Sequence, residues 1–446
     1  MALNWILILL FLLGLTVTSV AHTPLCSYNE DTTRCVCNVM VIQSPESLFC
    51  FLARELELRD GNLELNLRSI TSNVNFIQLY RIKKLIFNNV TISDSSFHEM
   101  ISFLSLSQLN DIEIISSTID VVQPFLLIHA LKPSEIQTPR LEEVTVDSSF
   151  LQPPFQALHH WVFGSLTSFG LVRSCLFEFN CYWAHKAENL TLLDLSENTI
   201  SLISLQNISH CSSVSFKNLK SLHLRNSNLT SLQPLCTLLN LTTALTDLDV
   251  SRNNFTIFHF PHCLQVKPLR MLNLSHSGIK EVNSFLSASL EELDLSYNSL
   301  EVFNNPPQTL KKLNLANNHL INLHFLGNLS YLKDLNVDSN QLTVLTDQTN
   351  VGLSALRQLD VLHAGRNPYQ CDCNLSETVL LLNNANSASV DPHMFLCATP
   401  EVQKGNQIMK YSFETCVKPI SRVQHYRPHL CVTLFMGLVS QLINTY

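Results

Sequence analysis

Charge is the first thing this chain lacks. Asp, Glu, Lys and Arg make up 14% of its 446 residues, against about 25% in typical soluble domains. Basic charge is the shorter side, with 28 Lys and Arg against 36 Asp and Glu and a formal net charge of −8. That leaves no electrostatic footprint for nucleic acid. Glycine is scarce, with 10 residues, and no phosphate loop is built from them. A nucleophile elbow and a His-Glu-x-x-His motif are absent too, and His159-His160 and the scattered histidines have no ligand spacing. The sequence therefore points to no catalysis, no cofactor and no metal.

What is present begins with "MALNWILILLFLLGLTVTSVAHT". An apolar run from Trp5 to Val17, followed by Ser19-Val20-Ala21 as a cleavage site, reads as a secretory signal peptide over residues 1–21, although a basic n-region is missing. The run is short for a bilayer span. Fourteen cysteines in an oxidising lumen are expected to be mostly paired. Asn-x-Ser/Thr acceptors at Asn89, Asn189, Asn207, Asn228, Asn240, Asn254, Asn273, Asn328 and Asn374 predict a glycoprotein. Glycans would supply the solubility that the sparse charge does not.

An internal repeat organises the middle. "LEELDLSYNSL" from Leu290 recurs as "LKKLNLANNHL" from Leu310, "LKDLNVDSNQL" from Leu332 and "LTDLDVSRNNF" from Leu245. "LRMLNLSHSGI" from Leu269, "LKSLHLRNSNL" from Leu219 and "LTLLDLSENTI" from Leu190 are further copies. Looser ones start at Leu166, Leu141, Leu109 and Ile82, and a last one, "LDVLHAGRNPY", starts at Leu359. This is the leucine-rich repeat, L-x-x-L-x-L-x-x-N-x-L. The leading apolar residues point inward from a short strand, and the Asn can bond the backbone of neighbouring coils. No copy is stable alone, so stacking must bury a continuous core. The predicted fold is α/β: a curved leucine-rich repeat solenoid with a parallel β-sheet on its concave face. The copies are regular from Leu190 to Leu342 and ragged before, where Ser replaces Asn in "IISSTI" and "DSSF".

A solenoid exposes apolar core at both ends and needs caps. Cys26, Cys35, Cys37 and Cys50 precede the repeats; Cys371, Cys373, Cys397 and Cys416 follow them. Adjacent cysteines of a Cys-x-Cys pair rarely bridge each other, which still leaves more than one connectivity open. A metal clip needs a reducing compartment, and a redox site usually uses Cys-x-x-Cys. Disulfide-knotted caps are the expectation, giving a cysteine-rich N-terminal cap with a first strand over 22–65, repeats over 66–368, a C-terminal cap over 369–417 and a tail over 418–446.

"CDCN" after "GRNPYQ" resembles the cysteine-rich C-terminal cap of Toll-like receptor ectodomains. The N-terminal "C-x8-C-V-C-N", with Glu30 and Asp31 inside it, Cys50 after it and ragged first repeats behind, resembles the monocyte differentiation antigen family of lipopolysaccharide co-receptors. That resemblance implies the pairings Cys26–Cys37, Cys35–Cys50, Cys181–Cys211 and Cys236–Cys263; the same alternation gives Cys371–Cys397 and Cys373–Cys416 at the C-terminus. Cys175 and Cys431 have no assigned partner. The four-cysteine C-terminal cap is a departure from the co-receptor family.

Two surfaces are candidate sites. The concave face of the regular half shows Asp194, His223, Asp247, Asp249, Glu292, Asp294, Asn314, Asp334 and Asp338, polar and acidic without the Trp, Tyr and Arg anchors of protein-binding hot spots. It reads as a solvated face, an acidic groove for a basic protein being the alternative. The N-terminal edge packs in Phe49, Phe51, Leu52, Phe76, Ile77, Leu79, Tyr80, Phe87, Phe97, Met100 and Phe103, with Arg81, Lys83 and Lys84 close by. Helical spacing over Phe97, Met100, Ile101 and Leu104 predicts a short helix. These aromatics fill a core in one reading. In the other, carried by the resemblance, they line a lipid pocket with a phosphate-binding rim. The resemblance further implies an innate-immune co-receptor, extracellular, that delivers lipopolysaccharide or a related acylated lipid to a Toll-like receptor complex, with a homodimer as a further expectation. The alternative is a protein-binding ectodomain of the adhesion or decoy type. The tail, apolar from Leu430 to Ile443, reads as the signal for a glycosylphosphatidylinositol anchor, the alternative being a frayed end.

Overall fold

The structure is a computed structural model. It describes residues 26–39, 50, 53–63, 81–93, 96–97, 108–121, 136–148, 166–174, 188–198, 216–265, 267–284, 289–346, 353–384 and 392–412. The chain is a leucine-rich repeat solenoid with disulfide-bonded caps. A hairpin opens it: strand Cys26–Asn29 runs antiparallel to Arg34–Asn38 with Cys26 opposite Cys37. Arg34–Asn38 then pairs in parallel with Glu55–Leu63, and that strand with Lys84–Ser93. Each later coil adds one parallel strand in register, ending with Val361–His363 beside Asp334–Asn336. In the ragged half a second row continues past the turn, where Thr91–Ser93, Thr118–Val121 and Thr145–Ser148 pair in turn.

Sequence period dictates this geometry. The leading apolar residues of each copy point inward; Leu290, Leu293 and Leu295, for example, are almost wholly buried. Aligning the strands exposes two frames that the sequence disguises. "ARELEL" is a full coil with Ala53, Leu56 and Leu58 inward. The copy read from Leu141 starts five residues earlier, since Ile136 and Leu141 are buried and Pro139 sits opposite Ile112 in the central position. Proline in the middle-leucine slot is what hid it.

The coils are laced together at the Asn position. Asn298 accepts the N–H groups of Ser277 and Ile279 and donates to the carbonyls of Leu274, Leu295 and Ser296. Asn253, Asn318, Asn340 and Asn367 bridge coils in the same way. Where the slot holds serine, neighbours share the duty. Ser117 accepts from Val90 N–H and Ser174 from Val144 N–H, while Asn198 accepts from Ser174 N–H. From Val90 to Ser174 the ragged half therefore alternates a residue whose side chain cannot bond with one that can.

One residue before that slot, every described coil adopts a left-handed backbone, from Asp60 and Asn89 through Arg173 and Tyr297 to Arg366. None of them is glycine. Their N–H groups bond the next coil, as in Tyr297 N–H to Ala316 O at 2.8 Å. That regular bonding holds each in a region L-residues otherwise avoid.

At the N-terminus the structure bridges Cys26 to Cys37 and Cys35 to Cys50. On the outer side, Cys236–Cys263 ties helix Cys236–Leu241 to helix His262–Gln265. At the C-terminus Cys371 bridges Cys397, and Cys373 is also disulfide-bonded. Cys181, Cys211, Cys416, Cys175 and Cys431 lie outside the described residues. The C-terminal cap seats on Gly365: a Cβ there would stand 2.5 Å from Met394 Cβ, and Arg366 N–H donates to Met394 O at 2.7 Å. Tyr369 is wholly buried behind it, stacked on Phe395 at 5.9 Å, its hydroxyl donating to Ala364 O.

Candidate functional site

At the N-terminal edge, Phe87 and Phe97 are buried in the core with ring centroids 6.1 Å apart. Ser96 and Phe97 are helical; the rest of that expected helix lies outside the described residues, as do Phe49, Phe51, Leu52, Phe76, Ile77, Leu79, Tyr80, Met100 and Phe103. The two described aromatics fill the core. Of the basic trio, Arg81 and Lys83 are exposed. Lys84 faces the concave side instead, its ammonium 2.7 Å from Glu113 and 3.9 Å from Asp111. Burial works against its charge, but the hydrogen bond and field of Glu113 hold its pKa above the ordinary lysine value.

The concave face is a network of compensated charge. Glu57, 1% exposed, accepts from Arg34, Arg59 and Asn88. Burial alone would raise its pKa; the hydrogen bonds from Arg59, Arg34 and Asn88 outweigh that and hold it below the usual range. Asp194 corrects the expectation of a solvated acidic face, for it is 2% exposed and reached by Arg140 at 3.0 Å and Arg225 at 3.4 Å. Burial pushes its pKa up, and bonds from Ser196 and Arg140 more than reverse the effect.

Further along, the acids and amides act as local caps. Oδ1 of Asp249, Asn273, Asp294, Asn314 and Asn336 each accepts the N–H two residues on. Asn273 and Asn314 also donate across to Asp249 and Asp294. Asp338 lies past the strand and accepts Gly365 N–H at 2.6 Å. These bonds tie the groups to the local fold. Sequence reasoning missed Arg140 and Arg225 because each reaches its acid across coils, a relation invisible without the register.

One lateral edge is different. Where the strands begin, Thr246, Arg270, Glu291, Lys311 and Tyr331 border an open, mainly apolar cleft of about 440 Å³. Glu291 holds Arg270 at 2.8 Å and Lys311 at 3.2 Å, and Tyr331 is 64% exposed. The signal was present in the aligned copies, at the residue just after the first inward leucine of each, or just before it for Tyr331, but only the stacked coils bring it together.

Cys26, Cys37 and Cys50 bring three sulfurs within ligand reach of one another, but all three are disulfide-bonded. Such sulfurs carry no thiolate to offer a metal. Among the described residues, no helix is long and apolar enough to cross a membrane.

Comparison with known proteins agrees with this architecture. The family model described as Leucine Rich Repeat matches residues 289–308. Toll-like receptor 2 of Homo sapiens is 29% identical over 364 residues, covering 79% of this chain and 44% of that protein. Toll-like receptor 2 of Pan troglodytes gives the same identity and coverage, and that of Boselaphus tragocamelus is 28% identical over 365 residues. The chain thus spans less than half the length of the curated relatives it matches.

Proposed function

We propose that this chain is an extracellular, non-enzymatic pattern-recognition protein that takes up an acylated microbial lipid of the lipopolysaccharide type at its N-terminal edge and passes it to a Toll-like receptor complex. The observation that carries the reading is the similarity to Toll-like receptor 2 across 79% of the chain. The disulfide-bonded ends support an oxidising compartment. Lipid would enter among the residues between Phe49 and Phe103, its acyl chains gaining burial and its phosphates meeting exposed Arg81 and Lys83. A lipid anchor at the C-terminal tail would hold the protein at a cell surface.

The test is binding of fluorescent lipopolysaccharide to wild type, Phe76→Asp and Tyr80→Asp, with circular dichroism as the folding control. A drop of tenfold or more in both folded variants is expected. Undiminished binding would remove the pocket from this edge.

A second reading, a protein-binding ectodomain, is favoured by the lateral cleft with its exposed Tyr331. Exposed tyrosine beside ion-paired arginine suits a protein partner. Under that reading Tyr331→Ala and Lys311→Glu weaken binding to a Toll-like receptor ectodomain and leave lipid uptake unchanged, as surface plasmon resonance would show.

A further inference from the structure

The opposite lateral edge, past the strand ends, carries a shallow polar pocket of about 270 Å³ bordered by Glu197, Asn226, Asn228, Arg252 and Asn254. Asn228 opens Asn-Leu-Thr and Asn254 opens Asn-Phe-Thr, and both side chains are exposed. They stand on consecutive coils, because Asn254 N–H donates to the carbonyl of Leu229 at 2.9 Å. One rung, about 4.8 Å, separates neighbouring coils. Asn253 forms a rigid floor between them: it is buried, its Oδ1 accepts from Ser227 and Leu229, and its Nδ2 donates to Leu224 and Val250. Around that floor lie a carboxylate, a guanidinium and an amide, a mixture of donors and acceptors that suits hydroxyl and acetamido groups.

We propose that Asn228 and Asn254 form a single glycan seat, which carries one N-linked oligosaccharide between them in the folded molecule. Its first N-acetylhexosamine rests on the Asn253 floor between Glu197 and Arg252. The inference depends on the reading that the chain passes through the secretory lumen. In the modification, one asparagine Nδ2 forms a bond to the anomeric carbon of a polyprenyl-diphosphate-linked oligosaccharide. The anomeric C–O bond breaks, the polyprenyl diphosphate leaves, and the amide proton passes to base. A 2-acetamido pyranose with its substituents is broader than one rung, so two of them on adjacent coils compete for the same space. A chain modified twice would have to hold one of the two sugars outside the pocket, away from the Asn253 floor.

The experiment secretes the full chain from mammalian cells, trims its glycans to single N-acetylglucosamine stubs and counts the stubs by intact mass. Wild type, Asn228→Gln and Asn254→Gln are expected to carry equal counts, and the double variant one fewer. Thr230→Ala and Thr256→Ala, singly and together, repeat the series without altering either asparagine, and guard against variants that fail to fold. If the double variants lose two stubs, or none, while stubs remain elsewhere, the shared seat is wrong. A wild-type chain with no stub anywhere overturns the secretory reading and this proposal with it.

Discussion

Arg140 reaches Asp194 across an intervening strand: its Nη1 lies 3.0 Å from Asp194 Oδ2, two coils away. The strand between them holds Gly170 at that register, and a Cβ there would stand 3.2 Å from Arg140 Cγ and 3.3 Å from Nη1. Glycine is what opens the path. The contact joins the ragged coils to the regular ones, and Arg225 closes on the same carboxylate from the other side at 3.4 Å.

Arg140→Ala is therefore expected to destabilise the chain by ~1–3 kcal/mol, because it strips a buried carboxylate of its nearest cation. Gly170→Ala should cost ~1 kcal/mol by crowding the arginine. The two losses should not add, since both act through one contact. Denaturant unfolding of the single and double variants measures the coupling, and strict additivity would count against the bridge.

Glu57 and Asp194 titrate below their ordinary values in the folded chain. A depressed carboxyl pKa contributes stability that is present above the unfolded value, about 4, and lost as pH falls through the folded one. Melting temperature should decline on acidification below about pH 4. Glu57→Gln should lower it at neutral pH and converge with wild type in acid.

Asp338 behaves oppositely, for burial raises its pKa despite the bond from Gly365 N–H. A raised carboxyl costs stability at neutral pH, and the cost fades as the group protonates. Asp338→Asn keeps an acceptor for Gly365 N–H and should be neutral or stabilising at pH 7. A clear loss at that pH would assign the charge a structural role.

Asn298 makes five bonds inside the stack. Asn298→Ala leaves several buried backbone groups unpaired and should cost ~3 kcal/mol or more. Ser174→Ala, at the same slot but with fewer bonds, should cost ~1 kcal/mol. Equal effects in thermal unfolding would contradict the ladder.

Gly365→Ala drives a methyl into Met394 Cβ and should loosen the C-terminal cap by ~2 kcal/mol or more. Limited proteolysis near residues 392–412 reads this directly. Met394→Gly in the same chain, which removes the obstructing atom, should restore protection.

How much of this was legible in the sequence differs by level. The inward leucines and the bonding Asn recur at fixed spacing, so the coil and its stacking could be read from residues alone. Pro139 and Ala53 broke the apolar pattern, which hid one frame and one whole coil. Charge was harder. Asp194 looks the same in sequence as Asp249, yet one is 2% exposed between two arginines and the other keeps 13% of its side chain in solvent, with Arg225 at 4.0 Å. Only register distinguishes them. The lateral cleft and the paired acceptors arise from columns running across coils, more than twenty residues apart in the chain, where no local window connects them.

The left-handed turn has a consequence for how such a chain can change. Because bonding between coils, not glycine, holds each turn, unbranched side chains of very different chemistry fit there: Asp60, Asn89, Arg173, His276 and Tyr297 all occupy it. Each coil thus offers one position where heredity can rewrite surface chemistry without touching the scaffold. His276 and Tyr297, stacked at 4.1 Å, are one such inscription. The solenoid is an alphabet of display positions at even pitch, and divergence along that edge can outpace divergence in the core.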